Sequence, residues 1–218
     1  MSSSLLKRIA RGVMWRLAWR EETLILSAGP LSGIDPAPAG FSVLRLAGPD
    51  RRDVERAESA MARAGEDAAI VSERLQHGDD FFGWVSADEV VSFGWVARAD
   101  RITAGVRLAR GGHRVFLYNF HTLPPFRGFG LYPGLLRRMR SELSIDGATE
   151  FIIDVSARNT ASRRGIEKAG FTLVARASSV TVLRRWQVNV AKAVLNPQAG
   201  ELFESGGTWQ KRTILKSN

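Results

Sequence analysis

Residues 115–143 read VFLYNFHTLPPFRGFGLYPGLLRRMRSEL: a strand, a turn carrying prolines and glycines, and a helix in direct succession. The first part, 115–122, is aromatic and β-branched, as strands favour, and Pro124 and Pro125 end it by removing backbone donors. From 131 to 143 apolar residues recur at helical spacing. A helix that starts directly after such a turn presents unpaired backbone N–H groups together with the positive end of its dipole. Gly128 and Gly130 let the backbone come close to a bound anion, and Arg127 adds a positive charge beside them, so the turn suits a diphosphate.

Working upstream, 81–86 and 90–98 are two aromatic, β-branched runs joined by Ala87, Asp88 and Glu89, which predicts a hairpin. Between this hairpin and the central strand lies a glycine- and arginine-rich loop, 104–113. Residues 41–46 alternate as a strand, Asp50 caps a helix running through Val54, Ala57 and Met61, and a second short helix spans 68–76 and stops at Gly78. A strand at 23–27 is separated from these by 29–40, rich in proline and glycine and read as a linker. Downstream, 151–155 is a buried-type strand, 162–169 a helix ended by Gly170, and 171–175 and 180–186 two final strands. This order predicts an α/β protein: a mixed sheet with helices on both faces.

Residues 2–20 place Leu6, Ile9, Val13 and Leu17 at helical spacing with arginines mostly elsewhere, giving a basic amphipathic helix assigned to 1–22. Attachment to an anionic membrane surface, docking on a partner and packing on its own domain all fit this pattern. The main domain is assigned to 23–190. A polar tail, 191–218, is expected to cross the domain surface and dock by Phe203, Trp209 and Ile214, or to be partly disordered.

Composition narrows the classes. Apolar residues at 44% and charged residues at 24% fit a soluble domain, and no apolar run approaches the ~20 residues needed to span a bilayer. The basic N-terminus lacks a clean cleavage site, so the protein is expected to be cytoplasmic, with peripheral membrane contact through 2–20. Cysteine is absent, which removes disulfides, thiolate metal sites and a cysteine nucleophile. His77 and His113 lie in loops without a carboxylate at ligand spacing, so no metal is assigned. A net charge of +9 favours anionic partners, but no nucleic-acid reading element accompanies it.

At Arg127 and Gly130 the sequence resembles the GNAT superfamily of N-acyltransferases, whose cofactor motif runs Arg or Gln, two residues, Gly, one residue, Gly or Ala; Tyr132 departs at the last position. Asn159 to Arg164 and Glu167-Lys168-Ala169-Gly170-Phe171 look like the second signature of that superfamily. The resemblance covers about residues 41–186. It implies a mostly antiparallel sheet whose central strand splays from its neighbour to bind coenzyme A, with acetyl-coenzyme A as acyl donor. The implied contacts are Phe120, Thr122 and Leu123 on the central strand, then Arg127, Gly128, Phe129, Gly130, Leu131 and Tyr132, then Asn159, Ser162 and Arg163.

Many members place an acidic tyrosine five residues before the final Phe; Ile166 stands there in this chain. Tyr132 either substitutes for it or packs against Pro133 or the cofactor. His121 and Asn119, two apart on one strand face, are the catalytic candidates: His121 as general base or as a histidine bonding a nearby loop, Asn119 as orienting group or as a partner for buried backbone. Arg163 and Arg164 open the second helix, one toward phosphate and the other solvated. Arg137, Arg138 and Arg140 read as a solvent-facing cluster, and Trp84 and Trp95 as core or as a wall of the acceptor pocket. The expected reaction is acetyl transfer to a primary amine of a small molecule, an amino sugar or a nucleotide- or lipid-linked sugar being the anionic case. A protein amine as acceptor, or a non-catalytic coenzyme A-binding module, are the alternatives.

Overall fold

The computed structural model describes residues 18–48, 50–97, 101–103, 106–108, 113–182, 186–194, 203–204 and 209–211. Along the chain, β1 (Ala18–Ala28) and β2 (Ser42–Leu46) precede α1 (Arg51–Arg63) and α2 (Ile70–Gln76). The hairpin of β3 (Asp80–Ser86) and β4 (Glu89–Ala97) follows, then short β5 (Arg101–Thr103) and β6 (Val106–Leu108), then β7 (Arg114–Thr122). After a 3₁₀ turn at Pro124–Phe126 come α3 (Leu131–Ile145), β8 (Glu150–Ser156) and α4 (Thr160–Lys168). The last elements are β9 (Thr172–Val182), β10 (Trp186–Val194), β11 (Phe203–Glu204) and β12 (Trp209–Lys211).

Nine strands form one sheet in the order β12-β10-β9-β1-β8-β7-β4-β3-β2, and β11-β6-β5 form a second, small one. Every neighbouring pair in the large sheet is antiparallel except β7 and β8, which run parallel through the crossover helix α3. Strand alternation sorts the core onto two faces. Leu24, Leu26, Val115, Leu117, Phe151 and Ile153 meet Leu131, Leu135, Leu136, Met139 and Leu143 of α3 and Ile166 of α4 on one side. Opposite them, Phe81, Phe93 and Trp95 pack against Ala57, Ala60 and Met61 of α1 and Val71 of α2. Helices therefore cover both faces, and the mixed, mostly antiparallel sheet agrees with the sequence reading.

Local chemistry explains several boundaries. The Asp50 side chain accepts from the Asp53 N–H at 3.1 Å and caps α1. Ala87 and Asp88 both adopt positive φ, 48° and 70°, the backbone that closes a tight right-twisted hairpin.

Four expectations change. Residues 1–17 lie outside the described residues, but Ala18 to Glu22, assigned to the basic helix, belong to β1 and pair with β9. The loop read over 104–113 includes strand β6. The final strands read as 171–175 and 180–186 are instead one strand, β9, followed by β10, which runs across the boundary placed at 190. In the tail, Phe203 and Trp209 fall in β11 and β12, and Ile214 lies outside the described residues. No helix among the described residues is long and apolar enough to cross a membrane.

Nor is the whole arginine cluster of α3 turned to solvent. Arg140 is only 5% exposed. Its guanidinium donates to the Gly29 carbonyl at 2.6 Å and the Ala169 carbonyl at 2.6 Å, and packs over the rings of Phe151 and Phe171. It thereby ties the end of β1 and the C-terminus of α4 to α3. Arg137 pairs with Asp35 at 3.2 Å, and Arg138 with Glu142 at 2.6 Å.

Candidate functional site

The parallel pair β7 and β8 is joined only from Arg114 to Leu117, opposite Glu150 to Ile153. Beyond that point β8 continues along β1 as far as Ser156, while β7 continues along β4 as far as Thr122. The two strands part. Each is followed by a helix, so the N-termini of α3 and α4 both stand at the carboxyl end of the gap, the position where open α/β sheets take their ligands.

A bulge sharpens the departure. Phe93 lies opposite His121 but Trp95 opposite Tyr118, so β7 carries an extra residue between them. Asn119 absorbs it with φ of 51°, a left-handed conformation that asparagine tolerates better than most side chains. The Leu123 N–H donates to the Val91 carbonyl at 2.9 Å, and its carbonyl accepts from Phe126 at 2.9 Å. Alternation then turns the N–H and C=O of Thr122 toward the gap. Ser92 on β4 fixes this strand end, donating to the His121 carbonyl at 3.2 Å and sharing a 2.8 Å hydrogen bond with the Thr122 hydroxyl. Leu123, among the implied coenzyme A contacts, has both of its backbone groups engaged within the chain.

A cleft of about 580 Å³ occupies the gap. Phe120, His121 and Thr122 line it from β7, Arg127, Gly128, Gly130, Leu131 and Tyr132 from the turn and α3, and Asn159, Ser162, Arg164, Gly165 and Lys168 from the α4 side. Gly128 and Gly130 have φ of 87° and 74°, values a β-carbon would strain, and Gly130 stands at the N-cap of α3 without a side-chain cap. Arg127 donates from Nε to the Thr122 carbonyl at 2.9 Å, which holds its guanidinium at the mouth. Trp84 anchors the first turn of α3 from below, its Nε1 donating to the Leu131 carbonyl at 3.0 Å; Trp84 and Trp95 are both fully buried core residues.

Tyr132 lies across the cleft. Its hydroxyl is 3.1 Å from Ser162 Oγ, and its ring packs against Phe120 with centroids 5.3 Å apart. The facing residue on α4 is Gly165, where a β-carbon would stand 2.5 Å from the Tyr132 ring. The bulk gained at 132 is thus matched by a glycine opposite. Burial pushes the Tyr132 phenol up to about 12, with Asp154 adding to the rise and the Ser162 hydrogen bond opposing it. It stays a neutral O–H at ordinary pH.

Other sequence candidates are placed differently. Phe129 is 73% exposed and does not line the cleft. Asn159 lines it, but its side chain caps α4 by accepting from the Ser162 N–H at 3.1 Å. Arg163, expected among the cofactor contacts, turns to Glu167, with 3.5 Å between Nε and carboxylate, and it is Arg164 that lines the cleft. Ile166 is 0% exposed and belongs to the core. Sequence reasoning also missed Lys168, although Arg164 and Lys168, four apart, share one face of α4 and the helical phase carried that signal.

His121 borders the cleft and its ring stacks on Phe93, with centroids 5.3 Å apart. Its Nε2 lies 2.9 Å from Glu66 Oε1, a residue between α1 and α2 that the sequence reading did not single out. Asn119 is brought against the same atom. With its amide oriented by the surrounding donors and acceptors, its oxygen accepts from Arg74 Nη1 at 2.9 Å and Nη2 at 3.1 Å, and its nitrogen stands 3.1 Å from His121 Nε2. Arg74 is itself held over the rings of Trp95 and Tyr118, at 5.0 and 5.1 Å.

No family model matches the sequence, and no curated protein resembles it at the sequence level. Solved structures do match. An acetyltransferase of the GNAT family from Colwellia psychrerythraea aligns with a TM-score of 0.54 at 16% identity, covering 80% of this chain and 60% of that one. A GCN5-related N-acetyltransferase from Sphaerobacter thermophilus aligns at 0.52 and 18% identity, over 84% of this chain and 57% of its own. For a GCN5-related N-acetyltransferase from Kribbella flavida the values are 0.53 and 15%, over 80% and 63%. The chain thus spans roughly three fifths of the length of these proteins and has the GNAT fold.

Proposed function

We propose that this chain is an acyl-coenzyme A-dependent N-acyltransferase, with acetyl-coenzyme A as donor and a primary amine of a small molecule as acceptor. The observation that carries the reading is the parting of β7 and β8 above a cleft that collects the N-terminus of α3 with Arg127, Arg164 and Lys168. Those groups fit a diphosphate: backbone N–H donors, a helix dipole and three cations converge on one mouth. The Thr122 N–H, turned into the gap while its carbonyl accepts from Arg127, suits pairing with an extended pantetheine arm or polarisation of a carbonyl oxygen. Bound there, the donor supplies an activated thioester.

The remaining chemistry belongs to the chain. Holding a neutral amine beside the acyl group supplies much of the acceleration by proximity. His121, at the edge of the cleft, takes the proton that an ammonium must lose. Ile166 offers no acid and the Tyr132 hydroxyl is bonded to Ser162, so the departing sulfur, a thiol of pKa ~8.5 when protonated, leaves as thiolate or takes its proton through water. The net charge of +9 favours an anionic acceptor, such as an amino sugar carried on a diphosphate.

Incubation with acetyl-coenzyme A and separate panels of amino sugars, amino acids and peptides tests the reading through release of free thiol. Turnover with small amines and none with peptides is the expected result. Peptide-only turnover moves the acceptor to protein, and tight cofactor binding without thiol release in any panel rejects the enzyme reading.

A further inference from the structure

We infer that Glu66 is a positioning residue for His121, and that with Asn119 it makes His121 Nε2 a two-state proton site on the acceptor side of β7; this rests on the acyl-transfer reading above. The geometry at Nε2 is the argument. A carboxylate oxygen stands 2.9 Å from that atom and an amide nitrogen 3.1 Å from it. One nitrogen satisfies these two neighbours only in turn: bare, it accepts from the Asn119 N–H; protonated, it donates to Glu66.

The amide cannot simply rotate to suit both states. Its oxygen is held by two bonds from Arg74, and Arg74 is held in turn against Trp95 and Tyr118. The Asn119 N–H is therefore aimed at His121 by a fixed cation, and the left-handed backbone at φ of 51° puts it there. Stacking on Phe93 fixes the plane of the imidazole. Glu66 is the one carboxylate that the described contacts bring to this ring, and it comes from the α1–α2 connection, on the sheet face opposite α3 and α4. It does not line the cleft.

In the step this serves, the acceptor ammonium gives one proton to Nε2, where Glu66 receives the resulting N–H. The freed lone pair forms the N–C bond to the acyl carbon; the C–S bond then breaks with its electron pair leaving on sulfur, and the second proton of the amine nitrogen passes through water to that thiolate, leaving a neutral amide and a thiol. Glu66 touches neither the amine nor the thioester; it acts through the imidazole.

Glu66→Gln tests the assignment, with Glu66→Asp as the conservative partner. The expected result is a kcat lowered ~10- to 100-fold in the Gln variant, partly restored in the Asp variant, with KM for acetyl-coenzyme A unchanged within about twofold. The second readout is the imidazole ¹⁵N spectrum of the full chain, which contains 3 histidines. The His121 Nε2 signal should move in Glu66→Gln while those of His77 and His113 stay. An unmoved His121 signal, or a kcat within about twofold of wild type, overturns the role of Glu66 and leaves the acyl-transfer reading standing. Wild-type protein that releases no thiol with any acceptor overturns that reading, and the role of Glu66 with it, whatever the spectrum shows.

Discussion

Tyr132 occupies the place where the resembling motif has Gly or Ala, and its surroundings have been built to take it. Gly165 makes room for the ring, Phe120 packs on it and Ser162 bonds its hydroxyl. The chemical consequence is a phenol raised by burial from 10.0 to about 12. In the unfolded chain the same group ionises near its ordinary value, so between roughly pH 10 and 12 the unfolded state has lost a proton that the folded state keeps. Stability contributed by Tyr132 is therefore fully present below pH 10 and is lost as the pH rises through 12. Urea unfolding of wild type and Tyr132→Phe at rising pH should show the wild type losing stability relative to the variant across this window, by roughly 2–3 kcal/mol at full titration. A pH-independent difference would mean that the phenol is not buried as described. At this scale the sequence was partly legible. The departure at 132 could be read from the motif, but the compensation at 165 could not, because it depends on how α3 and α4 face each other. The approach of Glu66 to His121 is likewise a through-space contact between residues 55 apart in the chain, with no local pattern to announce it.

Elements were more readable where a period was strong. The alternation in 115–122 and the helical spacing in 131–143 correspond to β7 and α3 because burial on the sheet enforces the same periods that the sequence carries. β9 failed that test for a physical reason. Its middle, Ala175-Arg176-Ala177-Ser178-Ser179, has weak strand propensity, yet it is paired on both edges, by β1 and β10, and tertiary pairing overrides propensity. Ala18 to Glu22 are drawn into β1 by the same partner. Arg140 shows the limit of reading charge as exposure: the guanidinium serves as the connector between α3, β1 and α4. Arg140→Met should cost roughly 2–4 kcal/mol in urea unfolding, because the Gly29 and Ala169 carbonyls lose their donors inside the fold. A loss below about 0.5 kcal/mol would return Arg140 to the surface role that its composition suggested.

Across the whole molecule, the proposed function is organised by one parting of strands. In that reading the donor half lies at the gap between β7 and β8, on the side of α3 and α4; the proton-handling half lies across β7, where Glu66 of the α1–α2 connection and Arg74 of α2 reach His121 and Asn119. The first half was largely legible, since the Arg127 turn and the Asn159 to Phe171 stretch are local signatures at the starts of helices. Of the second only His121 and Asn119 were, since Glu66 and Arg74 reach them from a distant part of the chain. The central claim is that the cleft holds coenzyme A by its diphosphate, and calorimetric titration of the full chain with coenzyme A measures it directly. Saturable binding at one molecule per chain is predicted, weakened ~10-fold or more in Arg127→Ala/Arg164→Ala and unchanged in Glu66→Gln. Absence of binding, or an affinity indifferent to the loss of both arginines, would contradict the account.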